Sequence, residues 1–568
     1  MNRQSIFSLS VAAVALALLP TNVVAKKPGT TPPPSNVVIP EGYSMTAVAT
    51  GLNFPTAMTF FGDTIWVTEM GNTTTSPAAV KEIDSGGNIT TMLTAAELPD
   101  GTLRSPLTGI VFARGWFWLI HRQTNSENAP GVPVGVISRF RPHDPVGTFA
   151  TVIAGFPSFG DHPNSQIVFG ADGRAYINGA APTNSGVVGP DNGWAPNTPT
   201  LSDFPGMDVE LSGIGYQTLI GPIPPWTLDP DGGTPAAKTT YPFVAFGAPL
   251  PSGNKVKAPT PANPIQGIIA GGGTVYSFDP EAADPTSTMR LEAWGFRNPY
   301  GIGFDPFDPN RLFVSNNGAD VRQTTIKGVI TVRGSRPIDN DFDDMFVVRI
   351  GDGVQFFGHP DYFHDPATGQ PLPVTDSRFC PEPLPLPPPP PPVLPSPCPQ
   401  FAFSDQFRAS LKVEPAFAEI EFHSSANMFD FSRTKAFGFK GDIFIAETGS
   451  IPTGTGATDL TGFKVARIDR QSGEVSDFIT HPTNELDVIF EPDGFNKPID
   501  VRFRGPEMFI VDFGVSAPEP AMANSGKVWK VVRGLCAAGG NPVIEMDDQG
   551  QPVTLMKRCE DEDEDHDR

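Results

Sequence analysis

The sequence predicts an all-β chain, a six-bladed β-propeller with long Pro/Gly-rich loop insertions. Three observations predict it. Two-strand units recur six times, several are followed by a further strand, and the 64 prolines and 58 glycines gather between the units. Radial repetition of four-stranded sheets accounts for this pattern without leaving long exposed edges.

The units are residues 55–69, 106–122, 165–179, 298–317, 423–447 and 498–512. In each, the first run opens near a Pro, Asn, Ser or His, and the second carries an aromatic among aliphatics, as a strand buried on both faces requires. Further strands are read at 136–140, 274–278, 464–469 and 527–532. The propeller is expected over residues 40–535, with insertions at about 180–272 and 366–415. The tract 384–393 (LPLPPPPPPV) reads as a stiff polyproline II spacer.

The ends carry other signals. Residues 1–25 read as a secretory signal peptide, with Arg3 before an apolar run and Val23-Val24-Ala25 as a small-residue cleavage site. Residues 26–39 form a flexible Pro-rich linker, and 536–568 a C-terminal extension whose run Glu560 to Asp565 is an acidic, solvated tail. The mature chain is expected to be secreted or periplasmic, with no membrane span. Four cysteines suit that compartment. Neighbour pairing, Cys380 with Cys398 and Cys536 with Cys559, is the simplest of the three connectivities. No CxxC is present, so neither a zinc site nor a thiol nucleophile is expected. A net charge of -23 argues against nucleic acid as a partner, because such a chain gains nothing from counterion release.

In a propeller the loops at one end of the channel converge, so residues from different blades can surround one ligand. His162 precedes the third unit, Arg297-Asn298 the fourth and His423 the fifth. Histidine accepts a proton near neutral pH, and an arginine fork holds paired oxygens. Taken singly, His162 reads as a surface or capping histidine, and Arg297 could equally be a structural ion-pair residue. Together they describe a polar, ligand-binding mouth.

These stretches resemble the soluble glucose/sorbosone dehydrogenases, pyrroloquinoline quinone (PQQ) enzymes on a six-bladed propeller. The resemblance spans roughly residues 40–533 outside the insertions. It rests on His162 with the following IVFGADGRAYING, on GFRNPYGIGFDP with NNGAD, and on weaker matches at 343–348, 357–360, 423–424, 461–467 and 497–501, in the family's order. It implies that His162 takes the proton from a sugar's anomeric hydroxyl as hydride passes to the quinone. Arg297 would stabilise charge on the quinone oxygen, and Asn298 and Lys464 would contact the cofactor. A calcium ion held by carbonyls and cofactor oxygens would polarise the quinone, its protein ligands being unassigned. The partners implied are a small sugar substrate and a soluble electron acceptor.

The chain departs from the family pattern in two places. A His-Gly-Ser-Trp stretch is replaced by Glu447-Thr448-Gly449-Ser450, and a Tyr and a Trp are missing at 356–360. Two alternatives follow: a propeller that binds without the cofactor, and a calcium-dependent lactone hydrolase using channel carboxylates such as Glu69, Asp320 and Glu447.

Overall fold

The computed structural model of the 568-residue chain describes residues 34–71, 77–99, 101–126, 129–189, 191–195, 198–218, 238–326, 329–381, 398–451, 460–534, 543–546 and 552–555. The expected signal peptide, the polyproline tract, the acidic tail and the Cys536–Cys559 pair lie outside these residues.

Six antiparallel sheets form the body. Blade one comprises Pro55–Phe61, Thr64–Glu69, Ala79–Ile83 and Ile89–Thr94. Blade two comprises Arg104–Ala113, Trp116–Ser126, Ala129–Phe140 and Ala150–Pro157. Blade three uses Ile167–Phe169, Ala175–Gly179, Thr274–Phe278 and Arg290–Trp294, with Gln355–Phe356 added in parallel at its edge. Blade four uses Asn298–Asp305, Asp308–Asn317, Phe342–Arg349 and Ala418–Phe422, and blade five Ala426–Phe431, Ile443–Glu447, Lys464–Ile468 and Val475–Ile479. Blade six joins Pro498–Arg504, Glu507–Asp512 and Gly526–Arg533 to the N-terminal strand Tyr43–Leu52. The architecture is the six-bladed β-propeller that the repeats predict, and each two-strand unit is the inner hairpin of one blade. The further strands read at 136–140, 274–278, 464–469 and 527–532 fall on the third strands of blades two, three, five and six, whereas the closing strand Tyr43–Leu52 and the fourth strands were not legible as such.

The first strands of the six blades touch one another in a closed ring. They do not pair with each other as strands, so backbone groups facing the next blade need other partners. A side chain supplies one at every junction. Phe112 N donates to Thr59 Oγ1 (3.1 Å), Thr108 Oγ1 to Asn164 O (2.6 Å), and Ile302 N to Gln166 Oε1 (2.9 Å). Ser315 Oγ donates to Asn427 O (2.6 Å), Phe503 N to Asp430 Oδ2 (2.8 Å), and Met58 N to Asp500 Oδ2 (2.8 Å).

Between these bonds the blades pack through aromatics. Trp66 stacks on Phe117 at 4.1 Å, joining blades one and two, and Phe117 stacks in turn on Phe140 of its own blade at 5.2 Å. Phe437 meets Phe503 edge-on at 4.9 Å between blades five and six. Burying one such ring contributes about 1.5–3 kcal/mol, so the radial order rests on many comparable contacts. The channel they enclose contains a cavity of about 390 Å³ lined by all six first strands, among them Met58, Ile110, Ile167, Ile302, Phe429 and Phe503.

Between the second and third strands of blade three the chain runs across one face of the ring. Arg336 ties this segment down: its fully buried guanidinium donates to Ser185 O (3.0 Å), Pro360 O (2.8 Å), Gln400 O (2.8 Å) and Tyr216 Oη (2.9 Å), and pairs with Asp361 (3.2 Å). Cys380 and Cys398 are disulfide-bonded. Among the described residues no helix is long and apolar enough to cross a membrane.

Candidate active site

The loops that open the blades are shaped by a repeated device. A side chain near the end of the second strand accepts hydrogen bonds from the backbone just before the first. Asn178 Oδ1 takes Ser165 N (3.2 Å) and Gln166 N (2.9 Å), and Asn316 Oδ1 takes Arg297 N (2.9 Å) and Asn298 N (3.0 Å). Glu69 takes Asn53 N at 2.8 Å, and Asp512 takes Asn496 N (2.9 Å) and Lys497 N (3.0 Å). In blade five Asp343 performs this role, accepting Ala426 N at 2.9 Å, and the equivalent Glu447 is left fully buried with neither carboxyl oxygen hydrogen-bonded. Gly295, which starts the turn before Arg297, sits at φ 86°, and a Cβ there would lie 2.5 Å from the Phe356 ring.

The device brings His162, Arg297, Asn298 and His423 to one end of the ring, where Asp320 joins three of the cluster's cationic or basic groups. Its carboxylate accepts from Arg297 Nη2 at 2.9 Å, lies 2.7 Å from His423 Nδ1 and pairs with Arg322 Nε at 3.3 Å. Burial opposes its ionisation, yet Arg297 and His423 outweigh that cost and hold the carboxyl well below the usual range. Two other carboxylates shape its loop: Asp343 accepts from Gly318 N at 2.8 Å, and Asp341 accepts from Ala319 N.

A segment from the face-crossing insertion closes the cluster from above. Ala181 N donates to Arg297 O (3.0 Å) and Asp161 N to Pro182 O (2.9 Å). Asn184 Oδ1 accepts from Arg297 Nη2 (2.8 Å) and Asp320 N (2.9 Å), while its Nδ2 donates to Asp320 O (2.6 Å). Arg297, Asn298, His162, Asp320 and His423 are all buried as a result.

His162 Nδ1 lies 2.6 Å from Ala181 O. A carbonyl can only accept, so Nδ1 carries the proton and Nε2 presents its lone pair. Burial, then Arg297 and Arg322, push the imidazole well below its ordinary pKa, so the ring is neutral at physiological pH. Arg322 Nη2 stands 3.3 Å from that Nε2.

Asn298 Nδ2 donates to Asn317 Oδ1 at 2.7 Å. Lys464 has a separate set of partners: Asp477 (2.7 Å), Glu421 (3.0 Å) and Glu447 (3.9 Å) surround its ammonium. It lines a cavity of about 680 Å³ between the outer strands of blades four and five. His359 is a further buried histidine under the field of Arg336 and Arg297, and neither of its ring nitrogens has a hydrogen-bond partner.

Sequence reasoning missed Asn184 and Arg322, which lie in loops without periodicity, and gave Asp320 only a loose role. Its signal was present: a carboxylate three residues past Asn317, in the loop that leaves the second strand of the unit Arg297 precedes.

No protein-family model and no curated protein matches the chain. Among solved structures, the holo form of the pyranose dehydrogenase PQQ domain from Coprinopsis cinerea is 13% identical, with 88% of this chain and 98% of that chain covered at a TM-score of 0.49. The calcium structure of a Trichoderma reesei enzyme of carbohydrate-active family AA12 is 14% identical, covering 89% and 99% at a TM-score of 0.48. The PQQ-bound aldose sugar dehydrogenase from Streptomyces coelicolor is 13% identical, covering 87% and 99% at 0.45. In its overall course the chain is similar to these sugar dehydrogenases and to the AA12 enzyme.

Proposed function

We propose that the chain is a secreted or periplasmic quinoprotein that oxidises the anomeric carbon of an aldose or sugar aldehyde by hydride transfer to PQQ. The observation that carries this reading is the neutral His162, its Nε2 lone pair at the mouth beside the buried Arg297.

The residues present suit an anionic, oxygen-rich quinone. Arg297 Nε and Asn298 Oδ1 are buried without hydrogen-bond partners, so both side chains retain capacity for a ligand. Arg297 and Asn298 would hold the cofactor, which when bound supplies a two-electron acceptor for hydride. Lys464, engaged by three carboxylates, is the weaker contact. Among the described residues no group of three or more His, Cys, Asp or Glu side chains is disposed to hold a metal ion, and calcium enters only as the resemblance implies it.

His162 Nε2 takes the proton of the anomeric hydroxyl as the C–H electron pair leaves as hydride, so the carbon becomes a carbonyl. The Ala181 carbonyl keeps the imidazole in the tautomer able to do this. Arg297 places a fixed positive charge where negative charge develops, and Asp320 keeps that guanidinium oriented.

A second reading, a propeller that binds without turnover, is favoured by the engagement of Arg297 with Asn184 and Asp320 beneath the covering segment. Glu69, Asp320 and Glu447, the carboxylates of the lactone hydrolase reading, each have separate surroundings: Lys81, Arg297 and Lys464.

The deciding experiment adds PQQ and calcium to the purified protein and follows quinone absorbance and its bleaching by aldoses. Bleaching is expected, and His162→Ala should abolish it while leaving quinone binding largely intact. Failure to take up the quinone overturns the dehydrogenase reading in favour of the binding propeller, and calcium-dependent lactone hydrolysis without quinone favours the hydrolase.

A further inference from the structure

We propose that Arg322 is a gate over the base nitrogen of His162, a positioning residue whose guanidinium must leave Nε2 before a substrate hydroxyl can reach it. The inference deepens the reading of His162 as the proton acceptor and rests on it.

A hydroxyl that surrenders its proton to Nε2 must approach to about 2.6–3.2 Å. That position is taken, because Arg322 Nη2 stands 3.3 Å from Nε2. The two arginines of the cluster differ in how firmly they are held. Arg297 is gripped at 2.8 and 2.9 Å by Asn184 and Asp320, and its side chain is 5% exposed. Arg322 makes longer contacts, 3.3 Å to Asp320 and 3.7 Å to Asp161, and its side chain is 25% exposed. It is thus the less firmly held arginine of the cluster, and when it swings toward solvent Asp320 keeps Arg297 as its counter-charge while Asp161 keeps the donors of Asn192 and Trp194.

Its placement supports a moving part. Arg322 has φ 48°, a left-handed conformation uncommon for a side-chain-bearing residue, immediately before the small hairpin formed by Gln323–Ile326 and Val329–Arg333 outside the blades. Asp161, its outer anchor, also accepts from Asn192 Nδ2 (3.2 Å) and Trp194 Nε1 (3.1 Å). The gate is therefore latched to the segment that covers the mouth, and lifting that segment loosens Arg322 at the same time.

The test reads the nitrogen directly, without turnover. Diethyl pyrocarbonate acylates neutral imidazole at an accessible nitrogen, and peptide mapping locates the adduct. In the full chain at pH 7, His162 should be modified slowly. Arg322→Gln should speed modification about tenfold, the weight of one charge-assisted hydrogen bond, and Asp161→Asn should speed it by a smaller factor. Arg322→Lys, which keeps charge but loses the planar fork, should fall between wild type and Arg322→Gln. Buried His121, His359 and His364 serve as internal controls. An unchanged His162 rate in folded Arg322→Gln overturns the gate, and so does a parallel rise at all four histidines, which would make Arg322 a packing residue. Failure of the quinone-loaded protein to oxidise any aldose would remove the dehydrogenase reading, while the acylation rates would still decide the gate.

Discussion

His423 Nδ1 lies 2.7 Å from Asp320 Oδ1, joining the turn that opens blade five to the loop that leaves the second strand of blade four. The same carboxylate holds Arg297 through its other oxygen. One side chain thus sets the relative position of two blade-opening residues.

Asp320→Asn should therefore be costly. It leaves Arg297 buried without its counter-charge and His423 Nδ1 without its carboxylate partner, and breaking a buried ion pair destabilises by about 3–5 kcal/mol. Because the folded carboxyl is held below its unfolded value, burial notwithstanding, its stabilisation is present above about pH 4 and lost as pH falls toward the folded pKa. Urea midpoints between pH 3 and pH 7 should fall steeply toward acid in wild type and less so in the variant.

His162 has the opposite sense. Its folded pKa is depressed by burial and by Arg297 and Arg322, so below about pH 6.5 the unfolded chain takes up a proton that the folded chain refuses. Stability attributable to this group is full above that pH and declines as pH falls. His162→Gln should flatten the slope of the urea midpoint between about pH 6.5 and pH 5; an identical slope would show the imidazole to be exposed in solution.

Glu447 is fully buried, and its carboxyl is pushed well above the ordinary value by burial, with Lys464 opposing and Glu421 adding to the shift. Its contribution is full below the unfolded pKa of about 4.3 and is lost as pH rises toward the folded value. Glu447→Gln keeps the shape without the ionisation. Its melting temperature should match wild type near pH 4 and exceed it at pH 8.

Arg336 is the tie between the covering segments and the ring. Arg336→Met leaves the carbonyls of Ser185, Pro360 and Gln400 without this donor and Asp361 without its ion-pair partner. The loss should concentrate in the covering segments. Within the described residues 180–189, 198–218 and 238–272, limited proteolysis should cut the variant sooner than wild type, while cleavage within the blades should be unchanged.

What could be read from the residues was whatever repeats at short range. The hairpin of Asn298–Asp305 and Asp308–Asn317 announces itself because both strands and their Asp-Pro turn are contiguous, and the same holds in the other five blades. The strand Tyr43–Leu52 has ordinary β composition, but nothing within it names Gly526–Arg533 as its partner. His162, Arg297 and His423 were visible as polar residues opening successive units. Their convergence on Asp320 depends on the angle between blades, which no local pattern encodes. Lys464 shows the converse: its neighbours along the chain carry no sign of the acidic company of Glu421 and Asp477 that three-dimensional packing gives it.

The pairing of Tyr43–Leu52 with Gly526–Arg533 also orders events in time. A growing chain makes the outermost strand of the sixth sheet first and the other three last. At about 5–20 residues per second the early strand waits on the order of a minute, its hydrogen-bonding edge unmatched, while five complete sheets accumulate behind it. Until the last strands emerge the assembly is an open arc, and a chain that stops short of Gly526 leaves both flanks of the gap available to another copy.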